Sequence, residues 1–419
     1  MFQRIKKNAL LKNSFIIFAG SSAINLGNYF YYLFLGRKLG PEDFGVFASL
    51  ISLLTLISIP GATIQIFSTK IAAKYGEKNQ ARLNYFIRSF FWYFLAISLL
   101  LTILLNLFSG YIARFLNINS RGLILTLSFS FLFFLFIPLL RGIVAGLHRF
   151  KFLSFSSALE TVFKLLLGIS LVIFGFKVYG AIIGIIASSF FSILLLIYYL
   201  KFIFIHPPKN HLKFKKQLFS LAPIFLASLI FNMFYTIDMI LVKHYFPDKE
   251  AGLYGALAKI GMMIFFLGGF ISAVLLPMIS RKYENKENTL PLLGQAFLMV
   301  AILISGCLII YYFFSGIIIK ILFGSSYLVI QWGIFWMGLV MSALLLISIL
   351  MNYFMAVHNF KFLYIFLIGI VLEFLMIIAL HNSLEQVIIG LGTSFIVVLV
   401  GMLGILVRSI RKSKSPINH

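Results

Sequence analysis

Runs of about 20 residues with almost no charge recur along the whole 419-residue chain, and this spacing restricts what it can fold into. A helix rises about 1.5 Å per residue, so about 20 apolar residues cross the roughly 30 Å hydrocarbon core of a bilayer. Twelve such runs are read, at 14–35, 44–67, 84–107, 122–147, 153–175, 179–200, 218–242, 252–276, 291–314, 327–351, 362–381 and 386–407. Inside lipid every backbone N–H and C=O needs a partner within the protein, and runs of this length meet that need as helices. An all-α polytopic membrane protein with twelve transmembrane helices is therefore expected. Composition agrees: 61% of residues are hydrophobic, 11% are charged and mean hydropathy is +1.05. A soluble domain carries about 25% charged residues.

The formal net charge is +24. In a soluble chain that excess would point to nucleic acid. Here the cations sit in short clusters between apolar runs, as they do in membrane loops, so no nucleic-acid partner is expected. With the N-terminus inside, 24 Lys and Arg fall in inner segments and 8 in outer ones. That asymmetry predicts both termini on the cytoplasmic side, with inner clusters also suited to anionic membrane lipids. The basic start and the apolar run to about Leu35 read as a retained first span rather than a cleaved leader. Cys307 is the only cysteine, so no disulfide forms within the chain. No phosphate loop, H-E-x-x-H or G-x-S-x-G motif occurs, and no cofactor is expected. His148 and His358 each stand alone, so no metal site is expected either.

One short phrase occurs twice, as LHRFKFL at 147–153 and VHNFKFL at 357–363. PEDFGVFASL (41–50) aligns with DKEAGLYGAL (248–257) at an offset of 207, and Gly180 aligns with Gly390 at 210. The chain thus reads as a duplication: a six-helix bundle over 1–200, a basic cytoplasmic linker over 201–217 and a second six-helix bundle over 218–419. Six spans bring each half into the membrane from the same side. Such halves are related by a pseudo-twofold along the membrane normal, with a substrate site between them.

Polar groups inside spans are costly and therefore candidates for function. Ser21, Asn25, Asn28, Tyr29 and Tyr32 share one face of the first span; Ser228, Asn232, Tyr235 and Asp238 share one face of the seventh. They read either as polar contacts between helices or as the lining of a cavity. Asp238 and Lys259 either pair with each other or act apart. In the second case Lys259, with Arg37, Lys38 and Lys243, attracts an anionic headgroup, and Asp238 takes a proton or another cation. Glu160 and Lys164, four residues apart, are expected to form a structural ion pair. Arg141, beyond Pro138, meets either Glu160 or the substrate. Glu373 has no partner in its own helix and is a second candidate for ion coupling.

Three stretches, LGPEDFGVFA after the first span, GLHRFKFL between the fourth and fifth, and VYGAIIG opening the sixth, resemble the polysaccharide-flippase branch of the MOP superfamily. That branch includes Wzx-type O-antigen flippases and teichoic-acid exporters. The resemblance implies a MATE-like V-shaped bundle with a central cavity lined by spans one, two, seven and eight. It implies a monomer in the cytoplasmic membrane that moves undecaprenyl-pyrophosphate-linked oligosaccharide from the inner to the outer leaflet by alternating access, for cell-surface polysaccharide biosynthesis. Coupling to protons or sodium is compatible with it. The lipid II flippase of the superfamily has fourteen spans, two more than are read here. An alternative is a multidrug or cation antiporter of the related exporter branch, whose cavity would be dominated by carboxylates. A polysaccharide polymerase or ligase would need larger outer loops than this chain has.

Overall fold

In the computed structural model, which describes residues 2–76, 79–204 and 222–414, ten stretches are long and apolar enough to cross a membrane. No strand occurs among the described residues. The helices in chain order are α1 (Phe2–Ser58), α2 (Pro60–Tyr75), α3 (Gln80–Leu107), α4 (Ser109–Phe115), α5 (Arg121–Ser128), α6 (Phe131–Phe134), α7 (Phe136–Gly146), α8 (Phe150–Leu171) and α9 (Lys177–Phe204). They continue with α10 (Ala222–Met233), α11 (Ile237–Tyr245), α12 (Asp248–Glu284), α13 (Leu290–Leu322), α14 (Gly333–Ala356), α15 (Phe362–Ala379) and α16 (Leu384–Lys414). The chain forms two compact units, Met1–Phe225 and Leu226–His419. Residues 205–217 of the expected linker lie outside the described residues.

Two apolar stretches, Ala23–Tyr75 and Phe150–Ile203, run for 53 and 54 residues. Each would be about 80 Å long if straight, against a core of about 30 Å. Both are broken by glycine. Gly40 takes φ 74 and ψ 175, a conformation open to glycine, and Pro41 after it has no N–H to bond back into the preceding turn. Between α8 and α9 a π-helical turn over Val172–Phe176 ends with Gly175 at φ 92 and Lys177 at φ 45.

In the first unit α2 lies against α7, and small residues set the distance. A Cβ on Gly142 would sit 2.5 Å from the Gln65 carbonyl oxygen, and one on Gly146 would sit 2.4 Å from that of Thr69. Small residues four apart let two helices approach closely where lipid supplies no hydrophobic drive to associate. Around them Phe67, Phe86, Leu139, Ile143, Leu196 and Leu200 form the core. The Tyr31 hydroxyl donates to the Ala181 carbonyl at 2.8 Å and ties α1 to α9.

In the second unit α12 runs along α14 and α15 along α16. Phe234 packs between Phe366 and Phe395, with ring centroids 5.4 and 5.6 Å away. Large apolar side chains also lie on the outside of both units, including Trp92 at 68% exposure and Ile302 at 66%. Water would penalise such a surface; hydrocarbon does not.

The repeated phrase folds into the same turn twice. His148 (φ 57) and His358 (φ 53) both adopt the left-handed conformation just past a helix end. The amides that follow bond alike: Arg149 N–H donates to Val144 O at 3.1 Å and Asn359 N–H to Phe354 O at 2.9 Å. This is the cap that ends a helix by satisfying its last carbonyls. Lys151 and Lys361 are exposed beside it.

Candidate functional site

Charged side chains within the apolar stretches gather into one network in each unit. In the first, Arg141 on α7 sets Nη2 2.5 Å from Glu160 Oε2 on α8. Lys164, one turn further along α8, donates to Asn28 Oδ1 on α1. Its ammonium also lies 5.3 Å from the centre of the Tyr31 ring and within electrostatic range of Glu160. The order across the three helices is Arg141, Glu160, Lys164, Asn28. The expected Glu160–Lys164 ion pair does not form, because each takes a partner on a neighbouring helix instead. The Arg141 guanidinium offers five donors in a planar fork, and its Nε stays buried without a hydrogen-bond partner.

Asn25, one turn before Asn28, is exposed, and Tyr32 is half-buried with its ring 5.8 Å from that of Phe47. The Ser21 side chain lies outside the described ones. Arg37 and Lys38 are exposed just before the Gly40 break, where Lys177 Nζ reaches Asp43 Oδ2 at 3.1 Å.

In the second unit Asp238 lies in the first turn of α11 and is 2% exposed. Its Oδ2 accepts from the Tyr254 hydroxyl at 2.6 Å. Its Oδ1 is buried and makes no hydrogen bond of normal geometry. Lys259, half-buried on α12, lies within electrostatic range of Asp238. Glu373 on α15 is fully buried, has no hydrogen bond on either carboxylate oxygen and lies within electrostatic range of both Asp238 and Tyr254. Two carboxylates, one ammonium and one phenol thus meet where α11, α12 and α15 approach.

The other expected site residues stand apart from that cluster. Asn232 Nδ2 donates to the Ser228 carbonyl at 2.7 Å and its Oδ1 accepts from the Tyr235 hydroxyl. These bonds occupy both ends of the Asn232 amide at the C-terminal end of α10. Lys243 is fully buried with its ammonium 2.6 Å from Asp248 Oδ1, so its charge is neutralised in this conformation. Tyr254 was not marked as a candidate by the sequence reading. Its position in the same apolar run as Lys259, one helix on from Asp238, was the available signal.

A search of curated proteins finds no match for the chain. Solved structures do match. The lipid II flippase MurJ in an inward closed conformation is 17% identical with a TM-score of 0.75, covering 94% of this chain and 87% of that one. An inward-facing multidrug resistance MATE family transporter of the MOP superfamily is 13% identical with a TM-score of 0.73, covering 94% and 96%. A MOP superfamily transporter from Pyrococcus furiosus is 17% identical with a TM-score of 0.62, covering 98% and 97%. At these identities the likeness establishes a shared fold, that of multi-pass membrane transporters. A family model described as polysaccharide biosynthesis protein matches residues 10–283, well over half of the chain, and the chain belongs to that family.

Proposed function

We propose that this protein is a flippase that carries polyprenyl-pyrophosphate-linked oligosaccharide, of the undecaprenyl type, from the inner to the outer leaflet of the cytoplasmic membrane. Ala23–Tyr75 and Phe150–Ile203 each cross twice in this reading, giving twelve crossings with both termini inside. The observation that carries it is the excess of cation in the first unit: Arg141 and Lys164 have one carboxylate, Glu160, between them. A charge held among apolar helices costs at least about 3 kcal/mol unless it is matched. A pyrophosphate supplies the negative charge that Glu160 alone does not. Asn25, Asn28 and Tyr32 offer hydrogen bonds to sugar hydroxyls, and the exposed Arg37 and Lys38 draw the headgroup in. Lys243, already on Asp248, is left out of this role. In the second unit Asp238 and Glu373 take a proton or sodium ion, with Lys259 as the competing cation; Asn232 and Tyr235 complete the polar set.

One observation favours a second reading. The buried carboxylates Asp238 and Glu373 suit an antiporter that exchanges organic cations for protons. Both readings are tested with purified protein in vesicles, following a labelled polyprenyl-pyrophosphate sugar from one leaflet to the other. The native protein is expected to flip it, and Lys164→Ala, which removes one of the two cations proposed to meet the pyrophosphate, to fall to background with the same yield of folded protein. Full activity in Lys164→Ala removes the first unit's cations from the substrate site. Exchange of an organic cation for protons without sugar flipping overturns the flippase in favour of the antiporter.

A further inference from the structure

A cleft on the outside of the first unit has no part in the transport proposed above. It lies between α3, the α6–α7 segment and α9, holds about 620 Å³, and is walled by Phe91, Phe133, Leu139 and Ile193 among others. On α3, Arg88, Trp92, Leu95 and Leu99 follow at i, i+4, i+7 and i+11, and all four line it. Arg88 is the one charged side chain in that lining. It is exposed, and no described acidic side chain pairs with it.

Depth follows from helix geometry. α3 has 28 residues and is about 42 Å long, so about 6 Å projects past each side of a 30 Å core when it is centred. Arg88 stands eight residues, about 12 Å, from Gln80, and therefore about 6 Å inside the hydrocarbon boundary. From there its long side chain extends toward the helix start and brings the guanidinium to the level of lipid phosphates. The distribution of Lys and Arg makes that end cytoplasmic. An apolar concavity open to hydrocarbon fills with a chain, and the cation at its mouth decides whose chain it is.

We propose that this cleft seats an anionic glycerophospholipid of the inner leaflet, its phosphate on Arg88 and an acyl chain along Trp92, Leu95 and Leu99. The second unit offers a contrast in charge. Between α13, α14 and α16, the equivalent third, fourth and sixth spans of that half, lies a cleft of about 1020 Å³. The one charged residue lining it is Glu385, in the first turn of α16 and so, by the same topology, on the outer side, where its sign repels an anionic headgroup.

The test is native mass spectrometry of the whole protein in mild detergent, with phosphatidylglycerol and phosphatidylethanolamine of identical chains added in equal amounts. It reads lipid retention and needs no flipping, so its failure and that of the flippase reading are separate results. One basic residue at the membrane surface gives about a fivefold preference for the anionic lipid. That preference is expected in the native protein, and in Glu385→Gln, and to fall to parity in Arg88→Gln. Leu95→Trp, which fills the cleft, is expected to lower phosphatidylglycerol retention without changing the melting temperature. Parity in the native protein, or an intact preference in Arg88→Gln, overturns the proposal. So does loss of the preference in Glu385→Gln. A dimer that Arg88→Gln dissolves would make the occupant a second copy, and displacement by polyprenyl phosphate would make it the substrate's tail; either result also overturns it.

Discussion

The two units use the same order of helices and hold opposite charge inside it. In the first, Lys164 on α8 lies over the Tyr31 ring and bonds Asn28, while Arg141 takes Glu160. In the second, Asp238 stands at the repeat position of Tyr31, offset by 207, and faces Glu373 on α15, the counterpart of α8. Two cations share one carboxylate on one side; two carboxylates share one ammonium on the other. The same helical frame can carry different side chains because apolar packing tolerates exchange among residues of similar size. The polar inserts differ between the two units. In the proposed function this divergence divides the labour: anion on the first unit, coupling cation on the second.

The sharpest way to break that comparison is to make the same chemical change in both units. Glu160→Gln leaves Arg141 and Lys164 without a carboxylate and is expected to cost about 3 kcal/mol of stability. Glu373→Gln removes an unpartnered buried carboxylate and is expected to leave stability unchanged or raised. Thermal unfolding of the two variants in one detergent measures both, and equal losses would show that the networks do not differ as described. The next effect is on coupling. Asp238→Asn is expected to abolish stimulation of flipping by an ion gradient and to leave the gradient-free rate within about twofold, measured in the vesicles described above. A variant still driven by the gradient would move the coupling site elsewhere. The smallest effect belongs to the repeated turn. Lys151→Ala is expected to reduce the amount of protein in the membrane by about twofold and to leave flipping per folded molecule unchanged, because Lys151 meets headgroups outside the two networks. A change of substrate preference in that variant would place the turn in the transport path.

Several parts of this arrangement were legible in the residues. The Gly40–Pro41 pair marks a break because φ 74 favours glycine and proline withholds its amide, both properties of the residues themselves. The matched phrases at 147–153 and 357–363 mark one turn made twice, and the same left-handed histidine appears in each. Partner choice was not legible. Glu160 and Lys164 have the spacing of a helix pair, yet Glu160 turns to a guanidinium 19 residues back and Lys164 to an amide 136 residues away. Lys243, expected to help attract an anionic headgroup, is buried on Asp248. Glu373 has nothing in its own helix to mark which carboxylate it would face.

The sequence by itself determined that the chain is helical, membrane-spanning and duplicated, because apolar length and backbone satisfaction in lipid act locally along the chain. The tertiary structure alone decided which charges meet. Side chains on different helices come within a few ångströms only through the rotation and offset of each helix against its neighbours, and those follow from close approaches such as Gly142 on Gln65, summed over the whole of each unit.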